Sequence, residues 1–175
     1  MEFFEALNER FSYRGMYEKT PVPREDLTRI VEAGLCAPSG CNAQTTSIIA
    51  VDDPALIEKL GGLLGKGGFA SAPAAVCVLT QPIIAYQNTT FHVQDYSAAI
   101  QNILLAVTAL GYASCWVEGY VTGEAGIGKK MAEVLGVPAP YELVAYLPVG
   151  IAKDAPRRVT RKPFGERAWF NGFGV

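Results

Sequence analysis

Two arginines and a serine alternate in the stretch Arg10-Phe11-Ser12-Tyr13-Arg14. In an extended backbone alternate residues face the same side, so Arg10, Ser12 and Arg14 would point one way together. Guanidinium groups pair with phosphate oxygens through forked hydrogen bonds, and a hydroxyl adds one more donor. The stretch indicates a phosphate site, while a solvated loop with two surface arginines remains the alternative interpretation.

Small and amide side chains follow at residues 37–44, which read Ala-Pro-Ser-Gly-Cys-Asn-Ala-Gln. Asn42 and Gln44 offer amide donors and acceptors, and Gly40 permits close approach of the backbone. These groups suit the polar edge of a flat heterocycle. A turn from a helix into a strand uses the same residue types, so both interpretations stay open.

Two further stretches contain glycines that could meet a ligand. Val117-Glu118-Gly119 lies at the end of a predicted strand, although a single carboxylate without a visible partner is more often structural than catalytic. The segment Gly123–Lys130 nearly matches the phosphate-binding pattern G-x-x-x-x-G-K-[ST], but Lys130 stands where a hydroxyl should bind Mg²⁺. A glycine-rich turn into a helix is the better interpretation, and a nucleotide triphosphate enzyme is the alternative.

The strongest basic cluster lies at residues 157–163, Arg-Arg-Val-Thr-Arg-Lys-Pro. It is either a solvated run of charge or a second clamp on the anion held by Arg10 and Arg14.

The single histidine, His92, excludes any mechanism that needs two histidines. Cys36 and Cys41 have no second cysteine pair at metal-ligand spacing, so no metal site is expected.

The composition is half hydrophobic but only 18% charged, against about 25% in typical domains. A compact monomer of this mass would expose about 8,000 Å², and so little charge suggests a buried partner surface or a large apolar cofactor.

The net charge of -2 gives no basic field for nucleic acid. No apolar run approaches the roughly 18 residues of a membrane span. Without a basic export signal, the four cysteines are expected to be reduced in the cytoplasm.

Hydrophobic periodicity and capping signals predict helices and strands in alternation along one domain, residues 1–175. The predicted helices are Glu2–Arg10, Arg24–Cys36, a segment after the Asp53-Pro54 cap to about Leu64, Asp95–Leu110 and Ile127–Leu135. The predicted strands are Ser47–Val51, Ala74–Thr80, Tyr112–Val117 and Glu142–Val149. Residues 65–68 and 81–93 are expected to be irregular. The class is α+β, and the helix from Asp95, apolar nearly all round, is expected to be buried on every side.

Taken in their order along the chain, several stretches of the sequence resemble motifs of the nitroreductase family of flavin oxidoreductases. The family's Arg-x-Ser-x-Arg/Lys is matched at 10–14 and its Ala-Pro-Ser-x-x-Asn-x-Gln at 37–44. Further matches are Ser-Ala-Pro at 71–73, the helix and strand from 95 to 116, Val-Glu-Gly-Tyr at 117–120, Leu-Pro-Val-Gly at 147–150 and Arg-Lys-Pro at 161–163. The family usually has Pro-Trp after the glutamine, whereas Thr45-Thr46 stands here.

The resemblance implies a mixed central sheet of four to five strands surrounded by helices, in a homodimer with an exchanged C-terminal arm. It implies FMN bound non-covalently at the subunit interface, NAD(P)H as electron donor, and a nitroaromatic, quinone or enone acceptor in ping-pong kinetics. The residues implied to bind FMN are Arg10, Phe11, Ser12, Arg14, Pro38, Ser39, Gly40, Asn42, Gln44, Val117, Glu118, Gly119, Arg161 and Lys162. Ser39, Gly40 and Asn42 would reach the flavin from the other subunit, and no catalytic side chain is required.

The chain is short for the family and has no insertion long enough for a separate active-site lid. The segment 81–93, with Tyr86, Phe91 and His92, is therefore the candidate for the substrate wall. A flavin-binding relative without turnover, acting as a sensor or a flavin store, is a further alternative.

Overall fold

A computed structural model describes residues 1–65, 67–155 and 160–174. Its helices are α1 (Phe3–Glu9), α2 (Arg24–Leu35), α3 (Pro54–Leu64), α4 (Gly67–Ala70), α5 (His92–Ala109) and α6 (Ile127–Val134). Its strands are β1 (Thr46–Val51), β2 (Ala74–Thr80), β3 (Ile84–Tyr86), β4 (Thr89–Thr90) and β5 (Glu142–Val149). The predicted helices and three of the four predicted strands are confirmed within a few residues.

The main sheet has the order β1-β2-β5 with both pairs antiparallel, so β2 lies in the centre. Every residue of β2 is buried, because both faces of the sheet are covered. Ala74, Val76 and Val78 face a core shared with α2 and α5. The intervening residues face a second core shared with α3 and α6. This two-sided burial explains why β2 reads as a continuous apolar run instead of an alternating one.

The sheet has three strands in the described part of the chain, not the four to five expected. The predicted strand Tyr112–Val117 makes only single bridges, from Ala113 to Gly150 and from Val117 to Tyr146. The same antiparallel register would place Cys115 opposite Pro148. Proline has no N–H to donate, so a ladder cannot form continuously between the two bridges.

Helix α5 begins at His92, three residues earlier than predicted, and lies on the sheet with Ile100, Ile103 and Val107 buried. In a single chain it is not buried on every side, because Ala98 and Leu105 are half-exposed. No helix in the described ranges is long and apolar enough to cross a bilayer.

Two segments expected to be irregular contain short regular elements. Residues Gly67–Ala70 form a single helical turn. The pair β3–β4 forms a hairpin whose turn residues, Gln87 and Asn88, have φ of 44° and 59°. A two-residue hairpin turn of this kind requires positive φ at both central positions, which asparagine tolerates better than most residues. The sequence did not indicate this hairpin, because its turn lacks the glycine that usually marks a two-residue hairpin turn.

Candidate functional site

The segment from Arg10 to Arg14 runs beside the segment that follows α5. Ser12 and Ser114 form a parallel bridge, and the Tyr13 N–H donates to the Ser114 carbonyl at 2.8 Å. Tyr13 is buried and packs edge-on against Tyr17, with ring centroids 5.0 Å apart. Because the backbone is extended, Ser12 and Arg14 face outwards together, as the spacing predicts.

An open cleft of about 240 Å³ lies at the end of this pairing, lined by Arg14, Phe69 and residues 115–120. Burial raises the pKa of the Cys115 thiol, and the positive charges of Arg14 and Arg10 act against this rise. Both arginines are therefore near enough to the Cys115 thiol to act on it electrostatically. Trp116 also lines it, and its indole Nε1–H is buried without a partner among the described residues.

The peptide between Glu118 and Gly119 has a fixed orientation at the cleft wall. The Glu118 carbonyl accepts hydrogen bonds from the N–H groups of Val121 at 2.7 Å and Thr122 at 2.9 Å. In a planar trans peptide the next N–H points the opposite way, so the Gly119 N–H points away from this turn. A Cβ built on Gly119 would meet no atom within 4 Å, so this backbone is open to a ligand.

The second motif, residues 37–44, is anchored by a carboxylate on α5. Asp95 is 4% exposed, and its Oδ1 accepts from the Gly40 N–H at 2.8 Å while its Oδ2 accepts from the Thr45 hydroxyl at 2.7 Å. The Ser39 hydroxyl accepts from the Gln44 N–H at 2.9 Å. Sequence reasoning placed Asp95 only at a helix start and missed this role, because its partners lie about fifty residues away in the chain.

Three non-glycine residues of this loop have left-handed backbone: Cys41, Asn42 and Gln44, with φ of 51°, 55° and 49°. Such conformations cost free energy and persist only where surrounding contacts enforce them. Gly40 is needed for a different reason, because a Cβ there would lie 2.4 Å from the ring of Phe91. The close approach permitted by Gly40 is thus to Phe91.

Replacing Asp95 with alanine should lower the free energy of unfolding by about 3 kcal/mol, because the buried Thr45 hydroxyl and the part-buried Gly40 N–H lose a charged acceptor. We also expect it to weaken the binding of any ligand held by residues 39–44. Chemical denaturation and ligand titration measure the two effects. Asp53→Ala is a matched control, because Asp53 is exposed and caps α3 by accepting from the Leu56 N–H at 2.9 Å. This substitution should lower the free energy of unfolding by only about 1 kcal/mol. Equal effects of the two substitutions on ligand binding would contradict the anchoring role.

Arg161 lies near the C-terminal end of α1, which leads into residues 10–14. Its Nη2 donates to the Leu7 carbonyl at 3.3 Å, one helical turn before Arg10. Lys162 is exposed. Arg157 and Arg158, the other basic residues of the predicted clamp, lie outside the described residues.

Of the proposed substrate-wall residues, Phe91 packs on Gly40 and lines a shallow cavity with Pro38, Ser39 and Gln94. His92 follows it as the first residue of α5, and its Nδ1 is buried without a partner among the described residues. Tyr86 is exposed on the hairpin. Phe91 and His92 are therefore next to the second motif.

The glycine-rich stretch before α6 is a closed turn. The Gly126 N–H donates to the Gly123 carbonyl at 3.1 Å and the Gly128 N–H donates to the Val121 carbonyl at 2.8 Å. A Cβ on Gly128 would lie 2.6 Å from the Leu143 carbonyl oxygen, so the turn packs directly on β5. A phosphate-binding loop directs such N–H groups at its ligand. Here they are used within the turn, which disfavours the nucleotide triphosphate alternative.

The structure thus groups the predicted residues into two half-sites. One, the arginine half-site, contains Ser12, Arg14 and residues 115–119, with Arg10 close enough to act on the Cys115 thiol. The other, the loop half-site, contains residues 38–44 with Phe91. The hydrogen bonds of the described residues connect each half-site to α5, where Asp95 holds the loop and Tyr96 contacts Glu118. The part of the chain that the structure describes has no group of three metal-ligating side chains.

Comparison with known proteins gives one consistent family. The model of the nitroreductase family matches residues 7–76 and 62–151. A protein from Archaeoglobus fulgidus, provisionally named NADH dehydrogenase/NAD(P)H nitroreductase, is 32% identical over 140 residues, which are 79% of either chain.

Solved structures agree with this match. A nitroreductase with bound FMN from Bacteroides fragilis is 28% identical with a TM-score of 0.75, covering 93% of this chain and 95% of the other. An FMN-dependent nitroreductase from Clostridium difficile is 25% identical with a TM-score of 0.80, covering 97% and 99%.

Proposed function

The chain belongs to the nitroreductase family of flavin oxidoreductases, and we propose that it passes electrons from NAD(P)H through non-covalently bound FMN to a small organic acceptor. Nitroaromatics, quinones and enones are the candidate acceptors, in ping-pong kinetics. The observation that carries the proposal is the pairing of Ser12 with Ser114, which sets Arg14 beside an open cleft next to Gly119.

The residues of the arginine half-site fit FMN chemically. Arg10 and Arg14 offer guanidinium forks for a phosphate with nearly two negative charges. The unpaired Nε1–H of Trp116 and the Gly119 N–H offer donors suited to the polar atoms of the ring system. Arg161, held near the end of α1, lies where it could add a further cation.

When bound, FMN supplies the hydride chemistry, and the protein contributes binding, orientation and electrostatics. The two arginines would bind the phosphate, and the ring system would then lie in the cleft lined by residues 115–119. Burial keeps the Cys115 thiol protonated, since it raises its pKa, so this thiol is not a competing nucleophile. The loop half-site, with Ser39, Gly40 and Asn42, would cover the same ligand from a second subunit.

The exposed apolar surface supports a homodimer. The chain exposes 10301 Å², about 2,000 Å² more than the roughly 8,000 Å² of a compact monomer of this mass. Phe4 and Phe170 are 76% exposed and Phe173 is 87% exposed. Large apolar side chains this exposed mark a protein interface. We therefore propose that the tail from Arg161 onwards packs on a second copy.

The compartment proposed is the cytoplasm, where NAD(P)H is available. The cysteines are free thiols in the structure, with Cys36 and Cys41 exposed, and a reducing environment keeps them so.

The experiment that tests the function uses the purified protein under anaerobic conditions. It should be yellow, release FMN on denaturation, and lose its oxidised flavin absorbance on addition of NADH or NADPH. An acceptor added afterwards should restore that absorbance. A yellow protein that neither nucleotide reduces would favour a flavin sensor or store, and a colourless protein that FMN cannot reconstitute would overturn the proposal.

A further inference from the structure

Tyr96 connects the central helix to the wall of the cleft. It lies on α5, is 5% exposed, and its hydroxyl donates to Glu118 Oε1 at 2.8 Å. Tyr96 lies within the matched stretch 95–116 but is not among the residues implied to bind FMN, and the proposed function does not use it. Glu118 itself is half-exposed and lines the cleft next to Gly119.

Glu118 is therefore held at two points. Its side chain is bound by Tyr96, and its carbonyl accepts from the N–H groups of Val121 and Thr122. The bonds to the carbonyl fix the plane of the peptide that carries the Gly119 N–H, and the bond from Tyr96 fixes the carboxylate. Without the tyrosine hydroxyl, the bonds to the carbonyl would remain, but the carboxylate would be free to turn into the cleft.

The tyrosine is a neutral donor under all working conditions. Burial, followed by the adjacent carboxylate, raises the pKa of Tyr96 to about 12. A neutral hydroxyl can stabilise the charged carboxylate without adding a charge of its own. The negative charge of Glu118 consequently stays on the Tyr96 side of the cleft wall.

We propose that Tyr96 is a positioning residue for the flavin, acting through Glu118: its hydroxyl holds the carboxylate charge away from the ring, next to the Gly119 N–H that the backbone bonds orient. This inference rests on the proposed function. A carboxylate released towards the flavin would disfavour the negative charge that the ring gains on reduction.

The test measures FMN affinity and the midpoint potential of the bound flavin in Tyr96→Phe and Glu118→Gln. Tyr96→Phe should weaken FMN binding about 3- to 10-fold, within the range for the net contribution of one typical hydrogen bond, and make the potential more negative. Glu118→Gln keeps an acceptor oxygen but removes the charge, so its potential should become more positive. In the double variant the tyrosine change should no longer shift the potential, because the charge it controls is absent.

Tyr112→Phe is the matched control, because it removes the same kind of tyrosine-to-carboxylate hydrogen bond outside both half-sites. The Tyr112 hydroxyl donates at 2.7 Å to Oδ2 of Asp26, which lies on α2. This variant should leave the affinity and the potential unchanged. Equal potentials in Tyr96→Phe and the parent protein, or an equal shift in the control, would overturn the role of Tyr96. A parent protein that binds no FMN would instead overturn the proposed function.

Discussion

Replacing Arg14 with alanine is expected to weaken FMN binding by about 1.5–3 kcal/mol, the contribution of hydrogen bonds to a charged group. Arg14 is exposed beside the cleft, and among the described residues its side chain makes one hydrogen bond, a long one of 3.4 Å to the Ser12 carbonyl. Its guanidinium is therefore available for a phosphate. Fluorescence titration of the flavin-free protein with FMN measures the loss.

Two further variants sharpen this expectation. Arg14→Lys keeps the charge but not the planar fork, so its affinity should fall between those of the parent and the alanine variant. Arg29→Ala is the control, because Arg29 is an exposed arginine on α2 whose ion-pair partner is Asp26, 3.6 Å away. An FMN affinity in Arg14→Ala equal to that of the control would contradict the phosphate role.

Because we propose that the C-terminal arm holds a homodimer together, removing residues 164–175 is expected to leave monomers or aggregates. The deletion takes away Phe164, Phe170 and Phe173, all of which are exposed in a single chain. Burying a phenylalanine fully contributes about 1.5–3 kcal/mol, so two exchanged arms would contribute a large share of the dimer's stability. Light scattering after size-exclusion chromatography measures the mass directly.

The boundary of this truncation follows from the structure. A deletion from Ala152 would also remove the Ala152 bridge to Tyr17 and the hydrogen bond from the Asp154 N–H to the Tyr13 hydroxyl. The shorter deletion spares these contacts and keeps Arg161. In the full-length chain, Glu166→Ala with Arg167→Ala changes exposed charges of the arm and should preserve the dimer. A stable dimer after loss of residues 164–175 would contradict the exchanged arm.

Local signals predicted most of the elements. The Asp53-Pro54 pair is followed by α3, with the aspartate side chain capping the Leu56 N–H. The strand Ala74–Thr80 was predicted with its observed bounds, because a short run that is apolar except for its last residue, between polar or turn residues, is typical of a buried strand. Alternation at Arg10–Arg14 also predicted which side chains face outwards.

Contacts distant in sequence were not predictable in this way. Asp95 binds Gly40 across 55 residues and Tyr96 binds Glu118 across 22, and neither spacing leaves a periodic pattern. The interruption at Pro148 depends on its register opposite Cys115, which only the folded sheet defines. The glycine-rich stretch before α6 resembled a phosphate loop because sequence shows which residues are glycines, not which carbonyls their N–H groups reach.

The central claim is that one FMN is held by the arginine half-site of one chain and the loop half-site of another. A heterodimer of Arg14→Ala and Asp95→Ala chains, purified with two different tags, tests it most directly. If the site is shared between chains, one site contains both defects and the other contains none, so the mixture should bind one FMN per dimer with the parent affinity. If each site lies within one chain, both sites are damaged, and failure to recover any high-affinity FMN binding would contradict the claim.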